Sequence, residues 1–171
     1  MRQGADEASP EASVAYLALG SNLGDRRANL EQALARLAEV PGVSIARVSR
    51  RYRTAPWGVT EQPEFLNLAV EIRANLSPQD LLAATKQIER RLGRTSTERW
   101  GPRVIDIDIL MYDAIAMESD DLVLPHPGMV ERAFVLVPLA DIAPDLILPD
   151  GQRVADAAQA LRREQYVDAD V

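Results

Sequence analysis

Two carboxylates, Asp106 and Asp108, stand one residue apart in the run Val104-Ile105-Asp106-Ile107-Asp108-Ile109. The run reads as a strand over residues 104–112. A strand has period two, so both carboxylates point to one face, while Ile105, Ile107, Ile109 and Met111 point to the other. Paired carboxylates repel each other and lose hydration on folding, and a cation between them relieves both costs. The bland alternative is an exposed strand face with two solvated aspartates. Oxygen donors without Cys or neighbouring His favour Mg²⁺ over zinc and leave coordination positions for substrate phosphates. Arginines crowd the same stretch: Arg90, Arg91, Arg94, Arg99 and Arg103, with Arg132 further on. Guanidinium forks pair bidentately with phosphate oxygens. Arg90 and Arg91 read as a solvated helix face; Arg103, three residues before Asp106 and next to Pro102, reads as functional. The chemistry indicated is a cation-assisted site for a small polyphosphate.

Further residues sit where they could serve that site. His126 lies between Pro125 and Pro127, and both a structural role and a phosphate hydrogen bond stay open. Aromatics are only 5% of the chain, yet Trp57 and Trp100 fall in Gly- and Pro-containing loops. Such residues stack on flat ligands or pin loops to the core, and spacing does not choose between the two. For Phe65 and Phe134 the spacing favours core positions. Asn67 shares a strand face with Glu71, opposite the core, and its amide can read the edge of a planar heterocycle or serve as an ordinary polar residue. Gly20-Ser21-Asn22-Leu23-Gly24 reads as a tight turn; it lacks the glycine spacing of a dinucleotide fingerprint.

The elements that must position these residues follow from periodicity. Residues 14–19 form a buried apolar strand; Asp25 caps a helix with Leu30, Ala33, Leu34 and Leu37 on one stripe, broken at Pro41-Gly42. Residues 43–53 read as one edge strand and 54–64 as a loop. Residues 66–73 alternate, with Leu66, Leu68, Val70 and Ile72 facing the core. Ser77-Pro78 starts a second helix, with Leu81, Thr85, Ile88 and Leu92 inward, which Gly93 ends before a polar loop over 93–102. The order is β-α-β-β-α-β, a ferredoxin-like α+β sandwich with a C-terminal extension. Both helices cover one face of an antiparallel sheet and the other face stays open for a ligand. Beyond it, 129–139 and 153–163 read as helices and 146–148 as a short strand. Residues 1–13 and 164–171 read as tails around a single domain, 14–163.

Composition narrows the function. The 171 residues are 47% hydrophobic and 26% charged, the balance of one globular domain. With zero Cys and one His, thiolate chemistry and His-rich metal sites are excluded. A net charge of −7 speaks against a nucleic-acid binder. Lys86, the single lysine, follows Thr85 rather than Gly, which excludes a P-loop. No apolar run reaches the roughly 18 residues of a membrane helix, and residues 1–13 lack the marks of a secretory or transit signal, so a cytoplasmic protein with no membrane partner is expected.

Taken in order, these motifs resemble one family. Ala18-Leu19-Gly20-Ser21-Asn22-Leu23-Gly24, Tyr52-Arg53-Thr54-Ala55-Pro56-Trp57-Gly58, Gln62-Pro63-Glu64-Phe65-Leu66-Asn67, Glu98-Arg99-Trp100-Gly101-Pro102-Arg103 with Asp106-Ile107-Asp108, Pro125-His126-Pro127, Arg132-Ala133-Phe134 and Ala143-Pro144-Asp145 are similar to 6-hydroxymethyl-7,8-dihydropterin pyrophosphokinases. The resemblance covers about residues 14–152. It implies pyrophosphoryl transfer from ATP to the pterin hydroxymethyl group with release of AMP, two Mg²⁺ ions and a ferredoxin-like fold; a monomer is expected. By resemblance, Asp106 and Asp108 hold the metals, and Arg94 and Arg103 act with them in catalysis. Arg94, Arg103, His126 and Arg132 surround ATP, with Glu89 near its ribose and Ile109 and Leu122 flanking the adenine. The pterin lies between Phe134 and Trp57 or Phe65, its edge read by Asn67 and the Thr54–Ala55 backbone. The family's mobile loops correspond to 20–24, 54–64 and 93–101. Two departures stand out: only Thr and Ser occupy 95–97, where some members carry a basic residue, and Trp57 replaces a smaller aliphatic residue common in others. Two rivals remain at this stage, a non-catalytic nucleotide-binding regulator on the same fold and an RNA-binding ferredoxin-like module.

Overall fold

Alternation along the first strand sets the frame. In β1 (Ser13–Ser21), Ala15, Leu17 and Leu19 are buried on one face, while Tyr16 and Ala18 pack on the other. β1 pairs antiparallel with β4 (Phe65–Ala74) on one side and β5 (Asp106–Tyr112) on the other. The computed structural model describes residues 11–58, 60–94 and 101–170. α1 (Arg26–Glu39) starts at Asp25, whose carboxylate accepts from the Ala28 N–H. α2 (Pro78–Arg91) starts at Ser77, whose hydroxyl accepts from the Asp80 N–H, with Pro78 as its first residue. Leu30, Ala33 and Leu37 of α1 and Leu81, Thr85 and Ile88 of α2 are buried toward the sheet. Strand order and pairing are those of the ferredoxin-like α+β sandwich, with β4 central and α1 and α2 over one face.

The second face departs from expectation. α3 (Ala133–Ile142) and α4 (Val154–Arg162) cover most of it, burying Tyr52, Ala69, Leu110 and Leu136 in a second core. Helix α3 reads Ala-Phe-Val-Leu-Val-Pro-Leu-Ala-Asp-Ile, apolar nearly all round, and such a helix must be enclosed on several sides. Glu71, expected on an open face, is 4% exposed and paired with Arg47 and Arg73, away from the aspartates. Only one end of the face stays open.

Strand boundaries differ for local reasons. Residues 43–53 form two strands, β2 (Val43–Val48) and β3 (Tyr52–Thr54), along the same edge of β4. Between them Ser49 bridges the gap, its N–H donating to the Ala69 carbonyl and its hydroxyl accepting from the Ala69 N–H. β5 carries a register shift after Ile109, so Met111 packs with Leu110 in the second core instead of following the Ile face. A hairpin of β6 (Met117–Glu118) and β7 (Val123–Leu124) follows. Residues 146–148 contribute one bridge, Ile147 to Arg153, rather than a strand. The segment expected as a C-terminal tail instead forms β8 (Val167–Ala169), paired with β3. Among the described residues no helix is long and apolar enough to cross a membrane.

Candidate active site

The open end of the second face is a cleft of about 350 Å³, within the range of small-molecule sites. Its floor is one row of the sheet. Across β1, Asp106 lies opposite Gly20 and Asp108 opposite Ala18; on the other side Gly20 lies opposite Asn67. Small residues at 18 and 20 leave space above the strand, so both carboxylates line the cleft, as period two requires. Asp106 and Asn67 stand two strand spacings apart, roughly 10 Å between backbones. A ligand held by both therefore spans from the acidic end to the amide end of the row.

The acidic end is electrostatically loaded. Burial, and then the Asp106 carboxylate, push the Asp108 carboxyl up to about 7 from its ordinary value. Lys86, Arg132 and Arg94 oppose that rise. Arg94 Nη1 lies 3.1 Å from Asp106 Oδ1 and also pairs closely with Glu89. Arg103 lines the cleft too, and among the described residues no carboxylate pairs with its side chain. His126 Nδ1 accepts from the Gly128 N–H at 3.1 Å, which leaves its ring proton on Nε2, and its own N–H is tied to the Leu110 carbonyl. Burial and then Arg132 lower the His126 pKa, so the ring is a neutral donor at pH 7.

The other end of the row carries a fixed amide beside aromatic rings. Thr54 and Asn67 are buried, and Asn67 Nδ2 donates to Thr54 Oγ1 at 2.6 Å, fixing the amide. A Cβ on Gly20 would sit 2.4 Å from Asn67 Oδ1, so the amide's place depends on glycine there. Trp57 and Phe134 have ring centroids 5.9 Å apart at 60°, and the Arg132 guanidinium lies 5.7 Å over Trp57 and 5.8 Å over Phe134. Phe65 and Phe134, whose spacing favoured the core, are half-buried cleft walls instead, because each stands at the first turn or residue of its element, where the sheet face opens.

Not every expected residue reaches the cleft. Ile109 and Leu122 are buried in the first core at 3% and 7% exposure and do not line it. Glu89 is 1% exposed and lies behind the wall, gripping Arg94 and, at 3.3 Å, Lys86 Nζ. Trp100, Arg99 and the Thr95–Thr97 stretch lie outside the described residues. Two residues went unrecognised in the sequence. Lys86 lines the cleft, and its spacing of three from Glu89 on one helix was the available signal. Asn22 is 2% exposed; its Oδ1 accepts from the Arg103 N–H at 2.8 Å, and its Nδ2 donates to Gln62 Oε1 and the Pro63 carbonyl at 2.9 and 3.0 Å. One buried amide thus joins three loops, contacts 40 to 81 residues apart that no local pattern announces.

Comparison with known proteins decides the family. The model of the family described as 7,8-dihydro-6-hydroxymethylpterin-pyrophosphokinase (HPPK) matches residues 16–144. The chain belongs to the HPPK family. It is 52% identical over 147 residues to the 2-amino-4-hydroxy-6-hydroxymethyldihydropteridine pyrophosphokinase of Methylorubrum extorquens, covering 86% of this chain and 92% of that one. The Bacillus subtilis protein of the same name is 51% identical over 130 residues, 76% of this chain and 78% of its own. The fold matches a crystal structure of Plasmodium falciparum HPPK-DHPS wild type with pterin and p-hydroxybenzoate, at a TM-score of 0.69 and 17% identity. That match spans 91% of this chain and 44% of the solved chain, so this chain is under half its length. The reaction of this HPPK chain is pyrophosphate transfer from ATP to hydroxymethyldihydropterin in folate synthesis.

Proposed function

We propose that the cleft performs this transfer with Mg²⁺ held by Asp106 and Asp108, the triphosphate among Arg94, Arg103, His126 and Arg132, and the pterin against Asn67, Thr54, Ala55, Trp57, Phe65 and Phe134. The observation that carries the proposal is the single sheet row running from the two carboxylates, past Gly20, to the fixed amide of Asn67. The donor set fits a hard cation: two carboxylates on one face, oxygen only, one of them with its pKa raised by burial and by the other carboxylate. Two carboxylates leave coordination positions for substrate phosphates. When bound, Mg²⁺ supplies charge neutralisation along the phosphate chain.

The chain's own residues do the rest. Arg103 and Arg94 offer guanidinium forks to phosphate oxygens, and the neutral His126 offers its Nε2–H. Asn67 and Thr54 fix the pterin edge, so the hydroxymethyl oxygen approaches the β-phosphorus from the amide end of the row. Catalysis by this set is positioning and charge stabilisation, the mode expected for phosphoryl-type transfer.

Assay of AMP release from ATP and 6-hydroxymethyl-7,8-dihydropterin tests the proposal. AMP and pterin diphosphate should form in equal amounts, and only when Mg²⁺ is present; formation of ADP, or turnover in excess chelator, would overturn it. A second expectation concerns the floor. Gly20→Ala places a methyl group 2.4 Å from Asn67 Oδ1, displacing the amide. Steady-state kinetics should show the KM for pterin raised about tenfold or more, with the KM for ATP little changed, since a misplaced polar partner costs about 1–3 kcal/mol. Equal effects on both KM values would show that Gly20 matters for the fold rather than for the pterin edge.

A further inference from the structure

The family match ends at residue 144, yet the structure brings residues 165–170 back to the cleft walls. The side chain of Gln165 makes two hydrogen bonds that straddle Arg132. Its Oε1 accepts from the Ala133 N–H at 2.9 Å, and its Nε2 donates to the Glu131 carbonyl at 2.9 Å. Arg132 occupies the N-cap of α3 and makes no side-chain cap of its own, so a side chain from beyond α4 caps the helix in its place. The peptide groups on both sides of Arg132 are therefore tied to one amide, which holds its backbone at φ −116° and ψ 108°. Gly128 leaves room for the side chain: a Cβ there would lie 2.7 Å from the guanidinium carbon. Immediately after Gln165, β8 pairs with β3 and places Val167 opposite Thr54, with Asp168 bonded to Arg53 at 2.7 Å. One short segment thus braces Arg132 and Phe134 on one wall and Thr54 on the other.

We propose that Gln165 is a positioning residue for the transfer reaction, acting through Arg132. The inference rests on the reading that Arg132 contacts the triphosphate. Gln165 touches neither substrate; it sets where the Arg132 guanidinium stands, and a displacement of about 1 Å in such a group costs up to about a hundredfold in rate.

A double-mutant cycle tests it on the full chain. Gln165→Ala should lower kcat/KM for ATP between about tenfold and a hundredfold, and the loss should nearly vanish when the same change is made in an Arg132→Ala background. Gln165→Glu, which keeps the acceptor for Ala133 and loses the donor to Glu131, should recover part of the activity, and it carries the cycle if the alanine variant fails to fold. Full kcat/KM in a folded Gln165 variant, or losses that simply multiply with that of Arg132→Ala, would overturn the inference while leaving the reading of the site intact. An Arg132→Ala variant with unchanged kinetics would sink both.

Discussion

Asp108→Ala is expected to lose roughly a thousandfold or more in kcat while remaining folded. Asp108 lines the cleft beside Asp106, and its side chain serves no ion pair or hydrogen bond that holds the fold among the described residues. Its carboxyl is instead a local cost to the free protein, raised by burial and by Asp106. The linkage has a definite sign. Between the ordinary carboxylate value near 4 and about 7, the folded chain holds a proton that the unfolded chain has released. This group's contribution to stability therefore falls as pH rises through that window, and its cost is fully present above it. Asp108→Asn keeps the shape and removes the charge. Without divalent cation it should be more stable than wild type at pH 8, on the order of 1–3 kcal/mol, and the difference should shrink toward pH 5. Activity loss together with a stability gain marks a residue kept for chemistry; wild-type turnover, or a stability difference independent of pH, would remove Asp108 from the site.

Arg103→Ala is the second large effect, with kcat/KM for ATP expected to fall roughly 10²–10³-fold. The backbone at Arg103 is held from both sides, its N–H donating to Asn22 Oδ1 at 2.8 Å and its carbonyl accepting from the Asn22 N–H at 3.0 Å. Truncating the side chain leaves that clamp in place, so the loss belongs to the guanidinium and not to the loop. Arg103→Lys should recover only part of the activity, because an ammonium lacks the planar fork that grips two phosphate oxygens. Full rescue by lysine would mean that charge alone is used there. Loss of pterin affinity with ATP kinetics intact would place Arg103 at the wrong substrate.

How much of this was legible in the sequence depended on the range of the forces involved. The Asp106–Asp108 face follows from strand period alone, and the caps at Asp25 and Ser77 follow from local hydrogen bonding; all three stand as read. The covering of the second sheet face was not legible, because α3 is apolar on nearly every side and so has no stripe to indicate a partner. The C-terminal strand escaped for the opposite reason. Val167-Asp168-Ala169 is short, without apolar alternation, and is held by backbone pairing and by ion pairs such as Asp168–Arg53 and Asp170–Arg27, 115 and 143 residues apart. Glu89 shows how a correct neighbourhood conceals a different role. It sits one turn from the cleft, but its burial turns it inward, toward Arg94 and Lys86. Phe134 was read from spacing as core; its place at the start of α3, beside the braced Arg132, puts it in the wall.

Anomalous diffraction from crystals grown with Mn²⁺ and a non-transferable ATP analogue bears most directly on the central claim. The account predicts metal peaks within direct coordination distance of the Asp106 and Asp108 carboxylates, about 2.0–2.3 Å, each also touching a phosphate oxygen. Metal bound to the phosphates alone, with both carboxylates turned away or paired only with arginine, would contradict it.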